Sequence, residues 1–402
     1  MRPAADCGED AGMTDQPSVV VVGAGAIGLC TAFELHELGV RDVTVLEKRH
    51  VASASSGLAV GIIETQYLDP VPIAIRVYAM DFFARLEREA GLPITRNGYL
   101  RLAHRPEELA AYERSAAVQR ELGVEDATVL DRDEIQRRVP EMVCDDVLGG
   151  LFGPSDGFVD PALTCNLIAD QLRQRGVPVA QQTELVGADD AAGGGHVLTT
   201  TVGELRCDHV VNAAGAWATP VGDLLGAPAT VLPQRHQALF VRLPEPLDYV
   251  MPSVMDYVPG SGRQGLYFRY DTPTSLVAGL HTEDALHGIV DPDRYRRGGD
   301  DLAYMSAVGE QLAERLPAFA EAGLDGVWAG IYPISPDGEP SIGPYRDRPG
   351  VHAAFGGGGS GFQSAPGIGR SVAEWIVHGE PRTVPGVVAL SPDRASLAAA
   401  GS

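Results

Sequence analysis

The sequence predicts an α/β protein in which a domain of alternating strands and helices is joined to an α+β part with an antiparallel sheet. Three observations predict it. Residues 18–22 are a β-branched run that breaks at Gly23 into a segment of helical periodicity, marked by Ile27, Leu29, Ala32, Phe33, Leu35 and Leu38. Residues 43–46 supply a second short strand after Gly39 ends that helix, so the opening is a strand, helix, strand unit with a right-handed crossover. Residues 236–280, by contrast, read as strands separated by Pro and Gly turns with no helix between them, the pattern of an antiparallel sheet.

The remaining elements follow in order. A small-residue loop covers 52–57, amphipathic helices are predicted over 71–90 and 106–122, and candidate strands lie near 59–63 and 97–102. This middle piece reads as an insertion. A helix over 161–175 leads to short strands near 177–181, 196–201 and 208–212, the last an apolar run ending at Ala213-Ala214-Gly215. A helix at 299–315, a strand at 325–332, a glycine cluster at 356–361 and a closing helix at 366–378 complete the chain. No internal repeat is visible.

Composition bounds the function classes. The 402 residues give two to three domains at about 150 residues each. A 45% hydrophobic and 21% charged composition is that of an ordinary folded protein. Lys and Arg number 31 against 54 Asp and Glu, and the net charge of −23 repels phosphate backbones and anionic lipid, so neither nucleic acid nor a membrane surface is an expected partner. The longest low-polarity run, 19–33, has 15 residues and three glycines, short of the roughly 20 that a spanning helix needs. Asp6, Glu9, Asp10 and Asp15 stand where a secretory signal would be basic and apolar, so residues 1–17 are expected to be a disordered tail of a cytoplasmic protein, with Met13 a second candidate start. Cys7, Cys30, Cys144, Cys165 and Cys207 are scattered and never paired as C-x-x-C, which argues against a disulfide framework or a cysteine zinc site.

Gly23-Ala24-Gly25-Ala26-Ile27-Gly28 is a G-x-G-x-x-G placed after a buried strand and at the opening of a helix. Gly23 allows the tight turn, Gly25 lets backbone approach a pyrophosphate, and Gly28 lets helix and strand pack; the helix N-terminus supplies free N–H groups and a positive dipole. Glu47 follows Gly28 by nineteen residues, at the end of the second strand, where a carboxylate accepts hydrogen bonds from ribose hydroxyls. The motif predicts a dinucleotide without separating FAD from NAD.

The pattern Gly28, Ala32, Leu35, Gly39, Val43, Val45, Glu47, followed by Ser53-Ala54-Ser55-Ser56-Gly57, resembles the FAD-dependent amine and amino-acid oxidases of the D-amino-acid oxidase superfamily, and the sarcosine and glycine oxidase branch most. Val210-Val211-Asn212-Ala213-Ala214-Gly215-Ala216-Trp217, the run from Pro336 to Pro344 and that from Gly356 to Gly369 agree, so the resemblance covers about 18–380. It implies a Rossmann-like FAD-binding domain (18–60, 150–232 and 325–385), a substrate domain (61–149 and 233–324) and a C-terminal tail (386–402). The cofactor contacts it implies include Lys48, Ser55, Ser56, Gly57, Leu185, Ala213, Ala214, Gly215, Trp217 and Gly330. Gly357, Gly358, Gly359, Ser360, Gly361, Phe362 and Gln363 form a glycine stretch running into a helix, which permits close backbone approach to a flavin ring and points N–H groups at its oxygens.

In such enzymes, as the resemblance implies, a hydride passes from the carbon beside a neutral amine to the flavin, and water hydrolyses the resulting imine. The protein must add a carboxylate clamp, hydrogen bonds to the amine and exclusion of water; neither a nucleophile nor a metal is required. His281 falls where sarcosine oxidases keep a histidine near substrate, although a turn histidine after a strand reads equally well. Tyr332 matches their active-site tyrosine, or is a core tyrosine at a strand edge. Tyr267 and Arg269 alternate with Phe268 and share a face where an aromatic and a guanidinium could meet a substrate carboxylate; a surface or interdomain ion pair is the other reading of Arg269.

The departures matter as much. Gly330 stands where monomeric sarcosine oxidases attach FAD through cysteine, and residues 53–60 hold no histidine, so noncovalent FAD is expected. Gly61 and Gln363 replace the arginine and lysine that bind sarcosine's carboxylate, and Val277 replaces a lysine that helps activate oxygen. The leading expectation is an oxidase of a small amine or amino acid producing hydrogen peroxide. A dehydrogenase with another electron acceptor, or the flavin subunit of a larger oxidase, are the alternatives, and a homo-oligomer or partner subunit is compatible with each.

Overall fold

The four valines Val19–Val22 are all buried, because the strand they form lies inside a parallel sheet covered on both faces. In the computed structural model, which describes residues 16–257, 265–281, 289–295, 297–298 and 301–400, this strand pairs in parallel with Val43–Leu46 on one side and His209–Asn212 on the other. Val179–Ala180 extends the sheet beyond Val43–Leu46, and Arg348–Phe355 extends it beyond His209–Asn212. Ser341–Tyr345 closes the edge as an antiparallel partner of Arg348–Phe355. Most of the expected 1–17 tail, with Met13 and Cys7, lies outside the described residues.

Helices Ala26–Glu37, Pro161–Gln174 and Gly361–His378 cover one face. Gly361–His378 begins five residues before the sequence-predicted start at 366 and carries Pro366 inside it. Proline normally stops a helix, but here the helix is held by close approach: a Cβ on Gly369 would sit 2.6 Å from the Thr31 nitrogen, and one on Gly367 2.4 Å from the Ile75 oxygen. Packing on two neighbouring helices overrides the local signal.

The second sheet has eight strands in the order Gly323–Ile334, Leu232–Arg242, Ser275–His281, Gly265–Thr272, Ser253–Met255, Tyr99–Ala103, Gly149–Gly153 and Thr128–Asp131. Every pair is antiparallel except Ser253–Met255 with Tyr99–Ala103. Three segments therefore sit differently from the sequence division. Gly149–Gly153 and Gly323–Ile334, expected in the FAD-binding domain, pair into this second sheet. Pro70–Ala90, expected in the substrate domain, buries Phe82, Phe83 and Leu86 in the core of the first. Short apolar runs announce burial but not which sheet receives them. The 386–402 stretch is docked rather than a free tail over its described part: Val387 and Leu390 are buried, and Arg394 makes a two-pronged pair with Asp337 at 2.7 Å on each prong.

Two small sheets complete the fold: Leu185–Asp190, His196–Thr200 and Gly203–Cys207 in one, Ile62–Ile63 and Gly157–Phe158 in the other. Among the described residues no helix is long and apolar enough to cross a membrane.

Candidate active site

The C-terminal ends of the parallel strands converge on a large cavity, the usual place for a ligand in an open α/β sheet. Gly23, Gly25, Ala26 and Ile27 line it from the first turn, and that turn has no room for larger residues: Gly23 has φ +112° and its Cβ would lie 2.5 Å from the Ala213 oxygen. Gly28 stays outside the lining; a Cβ there would meet the Gly23 oxygen at 1.9 Å, so its part is helix–strand packing. Glu47 reaches across from the second strand, Oε2 accepting from Ala24 N–H at 3.0 Å and Oε1 from Arg49 N–H at 2.8 Å. Its remaining lone pairs face the cavity it lines.

Ser55 and Ser56 line the same cavity, and Ser56 Oγ accepts from Ala26 N–H at 2.9 Å, capping the helix start. Gly57 does not line it; its missing Cβ lets the chain pass the Ala52 oxygen. Lys48, Leu185, Ala213, Ala214, Gly215 and Trp217 continue the wall from the neighbouring strand ends. Gly330, Gly357, Gly358, Gly359, Gly361 and Phe362 form the far side, with Phe362 stacked on Phe83 at 6.0 Å. A trough walled by glycines, with a helix start and the Glu47 carboxylate in its lining, fits a dinucleotide.

A second, smaller cavity adjoins the first and shares Ala59, Tyr267, Tyr332, Gly359 and Phe362 with it. Ser360 and Gln363, expected as cofactor contacts, line this second cavity instead. His281 lines it as well, edge-on to Tyr257 at 4.5 Å. Tyr332 lies flat against His236, ring centroids 3.8 Å apart and 18° from parallel. Burial pushes the Tyr332 phenol up to about 12. The Tyr267 phenol is pushed well above its ordinary value, by burial first and Tyr332 second. Both phenols are neutral donors at physiological pH. Tyr267 can lie over its neighbour strand only because residue 279 is glycine, whose Cβ would sit 2.4 Å from the Tyr267 oxygen.

Arg269 lines neither cavity. Its Nε donates to the Val60 oxygen at 2.7 Å and its Nη1 to the Tyr270 oxygen and to Asp271 Oδ1, so its ion pair is a local one within the strand Gly265–Thr272 and its longer reach is a hydrogen bond to backbone. Val277 is buried and lines neither cavity either. Gly61 does line the second cavity; with φ +78° and a Cβ 2.1 Å from the Val159 oxygen, this backbone has no place for a side chain. Gln363 Nε2 donates to Glu64 Oε1 at 3.1 Å, and its Oε1 accepts from Glu64 N–H at 3.2 Å.

Sequence reasoning missed several lining residues. His236 sits across the strand pair from Gly330 and brings a histidine into the first cavity from far along the chain. Glu64, Tyr67, Tyr99, Arg101, Met255 and Tyr257 line the second. The one available signal was Arg101 itself, a lone arginine in the otherwise apolar strand Tyr99–Ala103. Trp328, which lines the first cavity, ties the second sheet to the turn Ser55–Leu58 by donating from Nε1 to the Leu58 oxygen at 2.9 Å.

Comparison with known proteins agrees with this geometry. The rat dimethylglycine dehydrogenase is 27% identical over 379 residues, covering 91% of this chain and 44% of that protein. Glycine oxidase of Geobacillus kaustophilus is 27% identical over 382 residues, covering 92% and 95%. The chain thus spans less than half the length of the mammalian dehydrogenase it matches. The crystal structure of L-proline dehydrogenase from P. horikoshii superposes with a TM-score of 0.82 at 25% identity, covering 94% of this chain and 98% of that one. The family model of the DAO FAD-dependent oxidoreductases matches residues 18–375, and with the glycine-walled trough and its Glu47 carboxylate it places this chain in that family, with FAD as its cofactor.

Proposed function

We propose that this protein oxidises the C–N bond of a small amine or amino acid of the glycine, N-methyl or D-amino acid type, with noncovalently held FAD and with O2 as final acceptor, giving hydrogen peroxide. The observation that carries the reading is the adjacency of the two cavities: a polar, aromatic chamber shares Tyr267, Tyr332 and Gly359 with the wall of the cofactor trough. When bound, FAD supplies the two-electron acceptor for the hydride that leaves the C–N carbon.

The chain's own residues do the rest. Buried aromatic walls exclude water from the reacting carbon. The neutral phenols of Tyr267 and Tyr332 offer hydrogen bonds that orient the substrate against the trough, and His281 borders the same chamber as a group able to take the amine proton. Loss of hydride and proton leaves an imine, which water hydrolyses after release. Noncovalent attachment is supported by Gly330 and by the described cysteines, Cys30, Cys144, Cys165 and Cys207, all buried away from the lining of both cavities.

A dehydrogenase is the second reading. Among the described residues Arg101 is the one Lys or Arg lining the second cavity, while Lys48 and Arg49 at the first are engaged by Asp293. A fixed cation beside the isoalloxazine ring would otherwise help oxygen reduction.

Anaerobic visible spectra of the holoprotein mixed with sarcosine, glycine, N,N-dimethylglycine, L-proline and D-amino acids test both. Bleaching by one of them, reversed by air within seconds with peroxide appearing, is the expected result. Slow reversal in air selects the dehydrogenase. Absence of bleaching with every compound overturns the amine assignment for the isolated chain and leaves a flavin subunit that needs a partner. Acid precipitation that leaves the yellow colour in the pellet would overturn noncovalent binding.

A further inference from the structure

We propose that Arg101 is the specificity-determining residue of the second cavity, anchoring the carboxylate of the substrate and selecting amines that carry one. The inference rests on reading that cavity as the substrate chamber.

Arg101 is 3% exposed, in the middle of the strand Tyr99–Ala103. Two of its three nitrogens are used by the fold: Nε donates to the Gln66 oxygen at 2.9 Å and Nη1 to the Tyr257 oxygen at 3.0 Å. Nη2 makes no hydrogen bond to any described residue, and the side chain lines the cavity. The two carbonyls thus fix the guanidinium and leave one edge open. Tyr67 and Tyr99 flank it, ring centroids 5.8 and 5.7 Å from Cζ.

The charge balance around it points to an anion. Glu64, the acid that lines the same cavity, spends Oε1 on Arg76 Nε at 3.4 Å and on Gln363 Nε2, while its Oε2 has no hydrogen-bond partner and makes no ion pair with Arg101. Asp156, behind Gln66, is driven well above the ordinary carboxylate range by burial first and by Glu64 second, and so tends to neutrality. Arg76 and Glu64 cancel, and no carboxylate among the described residues comes within ion-pair distance of Arg101. Burial alone would disfavour the charge of Arg101, but Tyr99 and Glu64 more than offset it and hold its pKa above the usual value. Arg101 stays charged in the fold, makes no ion pair with a described residue and has an edge that meets no hydrogen-bond acceptor. A carboxylate entering the cavity supplies the counter-ion, and the fork of Arg suits that geometry. An amine joined to that carboxylate by one carbon is then kept within the chamber shared with Tyr267 and Tyr332.

The test uses the holoprotein as wild type, R101K and R101Q. Benzoate and its uncharged amide, benzamide, are titrated while flavin absorbance is followed, and flavin reduction is measured with each reactive amino acid and its methyl ester. The wild type is expected to bind benzoate at least 10-fold more tightly than benzamide. R101Q should weaken benzoate and raise KM for the amino acid by about 100-fold, with KM for the ester changed less than about threefold; R101K should fall between them. FAD content and Tm identify a variant that fails to fold, and R101K keeps the charge and can keep a carbonyl contact. Equal wild-type binding of benzoate and benzamide overturns the proposal whatever the variants do, and so does an R101Q that leaves the benzoate preference intact. A wild type bleached by no amine yet selective for benzoate would sink the amine function while sparing the anion site.

Discussion

The indole Nε1 of Trp217 donates to Oδ2 of Asp293 at 3.0 Å, while Oδ1 of the same carboxylate receives Lys48 Nζ at 3.1 Å and Arg49 Nη2 at 2.8 Å. Three residues that line the cofactor trough are thereby tied by one carboxylate from outside it. Lys48 also lies over the Trp217 ring, 4.2 Å from its centroid. Asp293 is about half exposed, so each contact is worth well under the value of a buried pair. Replacing it with alanine should weaken FAD binding about 3- to 10-fold and make retention less salt-dependent. Fluorescence of FAD released on dilution, with and without added salt, checks this; unchanged retention would show that the clasp does not guard the cofactor.

Glu47 holds two backbone N–H groups that its loss would leave unpaired, besides any ribose contact. E47A should therefore cost more cofactor affinity than E47Q: about 100-fold or more against roughly 10-fold, given about 1–3 kcal/mol per unsatisfied buried group. Titration of the apoprotein with FAD separates the two, and equal losses would assign Glu47 to the ribose alone.

A methyl group at Gly359 would sit 2.7 Å from Tyr332 Cε2, and that ring is already pressed against His236. G359A is expected to lower the rate of flavin reduction and to cost about 1–3 kcal/mol of stability. Gly309, inside the helix Leu302–Arg315, has open space where its Cβ would go and an ordinary φ, so G309A should stabilise the protein by about 0.5–1 kcal/mol without touching activity. Thermal melts of the two variants together test how tightly the site wall is packed: a tolerated G359A would mean that Tyr332 moves freely.

His352 is held neutral in the fold, its pKa lowered to about 3 by burial first and by His209 next, whose Nδ1 lies 3.1 Å from its Nε2. The folded value lies below the unfolded value of about 6.5, so its contribution is complete above that pH and is lost as pH falls from there toward 3. The slope approaches about 1.4 kcal/mol per pH unit, because the unfolded chain takes a proton that the folded one refuses. His104, whose pKa is raised by its hydrogen bond to Asp256, acts in the opposite sense: its contribution is present at low pH and fades as pH rises. The difference between wild type and H352Q isolates the first effect. Denaturant midpoints between pH 7 and 5 should fall less steeply in the variant; parallel curves would mean that His352 does not refuse its proton.

The local part of this protein is written in short stretches of its sequence. A β-branched run, three glycines at fixed spacing and Glu47 at the next strand end determine the trough, because a tight turn, a close backbone approach and a helix start each depend on residues that are neighbours in the chain. The glycine run at 356–361 was legible for the same reason. The tertiary structure decided what no local rule reaches. Strand alternation placed Tyr267 and Arg269 on one face, yet only the packing of that strand in the whole fold determined that Tyr267 meets the chamber while Arg269 is spent on Val60 and Asp271. His236 reached the trough through its register opposite Gly330, and Arg101 reached the chamber because Tyr99–Ala103 pairs with Ser253–Met255, more than 150 residues later. Sheet order and register are set by burial summed over the whole chain, and it is that sum which brings a distant arginine and two tyrosines to one cavity.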